Sequence, residues 1–135
     1  MSKKLIDRSN LERVHLHTYR YHLLVTDESY PSSLERMRDA MIFGETSAVL
    51  SADIGRLPES EDFDGLDFDK VHIKNMDELE EFANFFNLDD FVEKGHSMVE
   101  GYKVAAIPTL IHENPERLVG MGDLISSGTY VYEID

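Results

Sequence analysis

Two glycines bracket a single apolar residue, with an aspartate and a helix-forming run directly behind them, in Leu118-Val119-Gly120-Met121-Gly122-Asp123-Leu124-Ile125-Ser126-Ser127-Gly128. Glycines let the backbone approach another group closely and adopt angles that a Cβ forbids. The amides of Gly122 and its neighbours then open onto a helix N-terminus, where unpaired N–H groups and the helix dipole favour an anion. An aspartate beside an anion is electrostatically awkward unless it has a task, and next to a phosphoryl group it can accept the proton of an attacking hydroxyl. The same residues also make a tight turn in which Asp123 is an ordinary helix N-cap. The four residues alone do not separate these readings.

The remaining chain supplies a sheet for that loop to leave. Val14, Leu16, Tyr19, Tyr21, Leu23 and Val25 alternate with polar residues, which predicts two strands with a break near Tyr19-Arg20. Asp27 to Ser32 reads as a turn into a helix starting close to Pro31 or Ser32. Its apolar face is Leu34, Met37, Met41, Ala48 and Val49, its end falls near Ser51 to Ile54, and Gly55 and Pro58 close it. Residues 56–74 read as an acidic loop with a short strand at Val71-His72-Ile73. Asn75 and Glu78 make a capping-box-like start for a helix over Met76 to Phe86, with Leu79, Phe82, Ala83 and Phe86 as its stripe. Strands follow at Ser97–Val99 and Lys103–Ile107, with Glu100-Gly101 turning between them. Pro108 is expected to interrupt pairing, Leu110-Ile111 to resume it, and Asn114-Pro115 to turn the chain toward the glycines. The last helix is expected from about Asp123 to Glu133. Apolar strands then need helical cover on both faces, an α/β arrangement in one domain over 1–135, with a polar lead-in over 1–12.

A net charge of −14 argues against nucleic acid and anionic membranes as partners. It also means that an anion site here must use backbone amides rather than lysines. Glu59, Glu61, Asp62, Asp64, Asp67 and Asp69, then Asp77, Glu78, Glu80 and Glu81, carry no EF-hand spacing and read as solvated. No apolar run is long enough to span a bilayer, and Met1 to Asp7 lacks a signal-peptide core. With zero cysteines there is no disulfide and no thiolate metal site, which fits the cytoplasm. His15 and His17 share a strand face two residues apart, and His22 follows. Such a pair can bind a metal, but no third ligand stands at useful spacing, so surface or structural roles are favoured.

Three ordered stretches resemble the archaeal ADP-dependent glucokinases and phosphofructokinases, which have a ribokinase-like fold. They are Arg13 to Thr26, Arg38 to Phe43, and Gly101 to Thr109 continuing through Glu113-Asn114-Pro115 to Val119-Gly120-Met121-Gly122-Asp123 and Ile125-Ser126-Ser127. Their order is similar to the C-terminal third of such a kinase; the acidic middle matches poorly. The resemblance implies a short sheet with flanking helices, the C-terminal part of a ribokinase-like fold. It implies phosphoryl transfer from ADP to glucose or fructose 6-phosphate. Asp123 matches the catalytic base, and Gly120, Met121 and Gly122 match the anion hole. His17 and Tyr19 match a segment beside the adenosine, and Val104, Ile107 and Pro108 one that passes the adenine pocket. Leu118 and Leu124 depart from the family pattern, which usually has Thr at the first position and a small or hydroxylated residue at the second. Mg²⁺ and sugar contacts are implied to lie before this chain. The expected partners are ADP or AMP, a sugar, and either the missing N-terminal part or a second copy. A non-catalytic nucleotide-binding or interaction module that kept this part of the fold is the other reading.

Overall fold

The computed structural model describes residues 10–18, 20–65, 71–74, 76–112 and 121–134. The alternating segment folds as the expected hairpin, with β1 over Arg13–His17 and β2 over Tyr21–Asp27, in a register from Arg13↔Thr26 to His17↔His22. Thr18 holds the turn: its hydroxyl donates to the Tyr21 carbonyl and accepts from the amides of Arg20 and Tyr21. Tyr19 lies outside the described residues.

The central strand is β5, Tyr102–His112, antiparallel to every neighbour. The sheet runs β1-β2-β5-β3, with β3 over Val71–Lys74 and β4, His96–Val99, also on β5. Pro108 does not interrupt β5. Successive amides of a strand point to opposite sides. Ala106 donates away from β2, to Gly95, so the donor that Pro108 lacks faces that side too. There β4 has ended at His96↔Ala105 and β3 begins only at Lys74↔Thr109. Proline sits where no ladder bond is lost.

Helix α1 runs Leu34–Ile54, slightly later than expected, because Ser33 is the cap: its hydroxyl accepts from the Arg36 amide at 3.1 Å. Gly55, at φ 76°, ends it and donates to Ser51. The region read as a loop contains a 3-10 helix at Ser60–Gly65. Helices α2 (Met76–Phe85) and α3 (Phe91–Lys94) follow, and α4 covers Met121–Ile134.

Alternation along β2 and β5 divides the core into two layers. Val25, Val104 and Ala106 pack with Leu79, Ala83 and Phe91 beneath α2 and α3. Leu24, Ala105 and Ile107 pack with Met37 and Met41 of α1. Each fully buried Val, Leu, Ile, Phe or Met side chain contributes about 1.5–3 kcal/mol, and the alanines less. Helices therefore cover both faces, as expected.

Helix α4 lies on α1. Arg36 of α1 donates to the carbonyls of Tyr132 and Glu133 in the last turn of α4, a favourable place for a cation. Arg13 of β1 pairs with the Glu133 carboxylate at 2.8 Å. These contacts tie α4 to α1 and to the edge strand, which fixes where its first turn falls.

Candidate functional site

The first turn of α4 contains Met121, Gly122 and Asp123, so the helix is already running where the sequence placed its start. Asp123 lies inside the helix with its side chain exposed and is not its N-cap. A carboxylate in a first turn is stabilised by the dipole, and the amides of that turn lack intrahelical acceptors. Gly120, together with Leu118, Glu113 and the Asn114-Pro115 turn, lies outside the described residues.

Beside this turn stands a group of imidazoles. His17↔His22 are paired across the hairpin, and His15 is two residues from His17 on the same face. The ring centroids lie 5.7 Å apart for His15 and His17, 6.4 Å for His15 and His22, and 6.0 Å for His17 and His22. The hairpin thus brings a third imidazole, His22, beside the pair. Among the described residues no group of three His, Asp or Glu is placed to hold a metal ion, so no step is assigned to one.

His17 meets α4 directly. Its Nε2 lies 3.1 Å from the Ser126 hydroxyl. A Cβ built on Gly122 would fall 3.2 Å from its Cε1, so the ring occupies the room that glycine leaves. Partial burial and the nearby His22 hold its pKa below 6.5, while the Asp123 carboxylate pulls the other way. Deeper in, His22 Nε2 is 3.2 Å from Oε1 of Glu45, with both side chains only 3% exposed. Geometry does not align the two for a hydrogen bond. Instead Glu45, on α1, accepts from the Leu110 amide of β5.

Both ring nitrogens of His15 are buried without a partner. Burial, reinforced by Arg13 and the other two imidazoles, lowers its pKa from 6.5 to about 3. The unfolded chain takes up this proton near pH 6.5 and the folded chain only near 3. Stability is therefore full above pH 6.5 and is lost as the pH falls toward 3. One such proton gives a slope of at most about 1.4 kcal/mol per pH unit. Urea unfolding should show a lower free energy at pH 5 than at pH 7.5, and His15→Leu should remove most of that difference. A decline that survives His15→Leu in full would contradict this.

The other expected site residues divide between the two faces. Ile107 is opposite His22 and shares the α1 layer. Val104 belongs to the α2 layer, and Pro108 is paired with Tyr21, which packs in that same layer. The structure thus brings His17, Met121, Gly122 and Asp123 together on one side, with Ile107 in the same layer. It does not bring Val104 or Pro108 to that side. Ser126 and Glu45 were not singled out in the sequence, and His22 only as following the histidine pair. The hairpin register would have revealed His22, whereas Ser126 and Glu45 give no signal before the helices are packed.

The ADP-specific phosphofructokinase/glucokinase conserved region, as a family model, matches residues 1–132. An ADP-dependent glucose/glucosamine kinase of Pyrococcus abyssi is 37% identical over 131 residues, covering 96% of this chain and 27% of that protein. An ADP-specific phosphofructokinase of Pyrococcus horikoshii is 32% identical over 127 residues, covering 94% of this chain and 26% of its own length. Among solved structures, an ADP-dependent kinase in complex with fructose-6-phosphate and ADPβS superposes with a TM-score of 0.85 at 28% identity, over 96% of this chain and 29% of that one. A Pyrococcus horikoshii phosphofructokinase with AMP gives 0.75 at 28% identity, over 96% and 27%. The chain thus spans little more than a quarter of the length of these relatives.

Proposed function

The chain belongs to the ADP-specific phosphofructokinase/glucokinase family and corresponds to a C-terminal segment of it, and from that premise we propose that it forms the nucleotide side of an ADP-dependent sugar kinase. The observation that carries the reading is the position of Asp123, exposed in the first turn of a helix, where the amides of that turn lack intrahelical acceptors. In the reaction, a sugar hydroxyl attacks the β-phosphorus of ADP and AMP leaves. Asp123 takes the hydroxyl proton. The amides of Gly120, Met121 and Gly122 stabilise charge on the phosphoryl group in flight. ADP and sugar are the partners, and residues elsewhere in the complete fold hold Mg²⁺ and choose between glucose and fructose 6-phosphate. His17 and Ile107 border the nucleotide from the hairpin side, with Tyr19 close to His17 in sequence, whereas Val104 and Pro108, on the other face of the sheet, are left out of the adenosine contacts.

Among the described residues the outer edge of β1 has no strand partner. An open edge invites pairing, so the rest of the family fold or a second copy covers it. With zero cysteines the chain suits the cytoplasm; no described helix is long and apolar enough to cross a membrane.

The isolated chain should bind ADP without turning it over, because only part of the site is present. Titration calorimetry on folded protein should give saturable heat with ADP. A coupled assay with glucose or fructose 6-phosphate should stay at background. Folded protein that gives no heat with ADP would overturn the nucleotide reading, and turnover abolished by Asp123→Ala would overturn the expected inactivity.

A further inference from the structure

We propose that His17 is a positioning residue for the first turn of α4, and that acidification releases the turn by charging this imidazole. The proposal rests on the functional reading above only for its consequence on nucleotide binding; the coupling itself is a property of this chain.

The geometry supplies a prop and a latch. The ring fills the space beside Gly122, 3.2 Å from where a Cβ would stand, so the turn rests on the imidazole. Its Nε2 is 3.1 Å from the hydroxyl of Ser126, one turn further along. A neutral ring with Nε2 unprotonated accepts from that hydroxyl. Once Nε2 gains a proton it can only donate, and the hydroxyl must turn around.

The groups facing His17 decide what charging it does. On the hairpin are His15 and His22, with ring centroids 5.7 and 6.0 Å away, and Arg13 at the start of β1. Of these, His22 together with partial burial disfavours a positive charge on His17, while His15 stays neutral down to about pH 3. Glu45 of α1 is engaged with His22 and the Leu110 amide. From α4, the Asp123 carboxylate attracts the charged ring. The charged ring is therefore pushed off the hairpin and drawn to Asp123. That displaces the prop from Gly122 and occupies the carboxylate proposed as the base. The exposed position of His17 allows this movement, whereas buried His15 and His22 stay fixed.

Ligand-free chain suffices for the test. In an NMR pH titration, the Gly122 and Ser126 amides should shift with the same midpoint as the His17 ring, below pH 6.5. His17→Gln, which keeps a hydrogen-bonding head and cannot charge, should abolish that inflection while leaving the chain folded. His17→Ala should shift both amides at every pH. ADP affinity of the wild-type chain should weaken across the same interval by more than that of His17→Gln, in which only the phosphate of ADP, which itself titrates at about pH 6, changes charge. Amides that stay flat while His17 titrates, or that titrate unchanged in His17→Gln, overturn the proposal. If ADP fails to bind at any pH while the amides still follow His17, the positioning stands and the nucleotide reading fails.

Discussion

Asp123→Asn is expected to cut turnover by about 10² or more and to leave ADP affinity within a few-fold, since a positioned base is worth about 10²–10⁴. The measurement needs a complete site. A chimera in which this chain replaces the matching segment of an ADP-dependent relative provides it. Asparagine keeps the size of the side chain and its place in the first turn of α4. The amides that would cradle the phosphate are backbone and survive the change. What is lost is the ability to take a proton, so kcat falls and nucleotide binding does not. The competing role of a first-turn carboxylate is to interact with the helix dipole, worth only about 0.3–1 kcal/mol of stability. Near-normal kcat in a folded Asp123→Asn chimera would leave Asp123 with that role alone.

The second large effect is on folding. Gly44→Ala should destabilise the chain by a net amount of about 2 kcal/mol. Gly44 sits where α1 and α4 cross: a Cβ there would lie 2.3 Å from Thr129 Oγ1, 2.6 Å from the Ile125 carbonyl and 2.9 Å from the Thr129 amide. Two of these are backbone atoms, and the hydroxyl is fixed by its own bond to Ile125, so the helices must move apart. Overpacking of this kind costs about 1–3 kcal/mol. Alanine would otherwise gain about 1 kcal/mol in a helix interior. A net loss of about 2 kcal/mol therefore requires the clash to reach the top of its range. Gly128→Ala, whose Cβ would meet Gly44 Cα at 3.2 Å, should cost less. Denaturant midpoints would settle the order, and a stabilised Gly44→Ala would show that the crossing is looser than described.

These two residues also show what a sequence displays and what it hides. Period-two alternation made the hairpin and the α/β layering legible, because burial of one strand face leaves a direct trace in residue type. Asp123 stood out through its glycine context and the ordered resemblance around it. Gly44 left no trace, since a mid-helix glycine does not say which element approaches it. Glu45 is buried on α1 among residues read as an apolar stripe, because its partners, His22 and the Leu110 amide, come from distant strands. Pro108 was misread for the same reason: whether a missing donor breaks a strand depends on the neighbour at that position. The side of Gly122 where a Cβ would stand faces His17, a contact between distant elements that its sequence context does not display. The resemblance sets Val104 and Ile107 on one segment beside an adenine pocket, and their odd spacing puts them on opposite faces of the sheet.

In the proposed function, the first turn of α4 is the anion cradle of a nucleotide site. Its most direct test is a titration of isotope-labelled chain with ADP, followed amide by amide. Saturable shifts are expected, centred on Met121, Gly122 and Asp123 and reaching His17, with AMP shifting the Met121 and Gly122 amides less because it lacks the β-phosphate. A folded chain in which millimolar ADP leaves those amides unmoved, or moves only residues elsewhere, would contradict it.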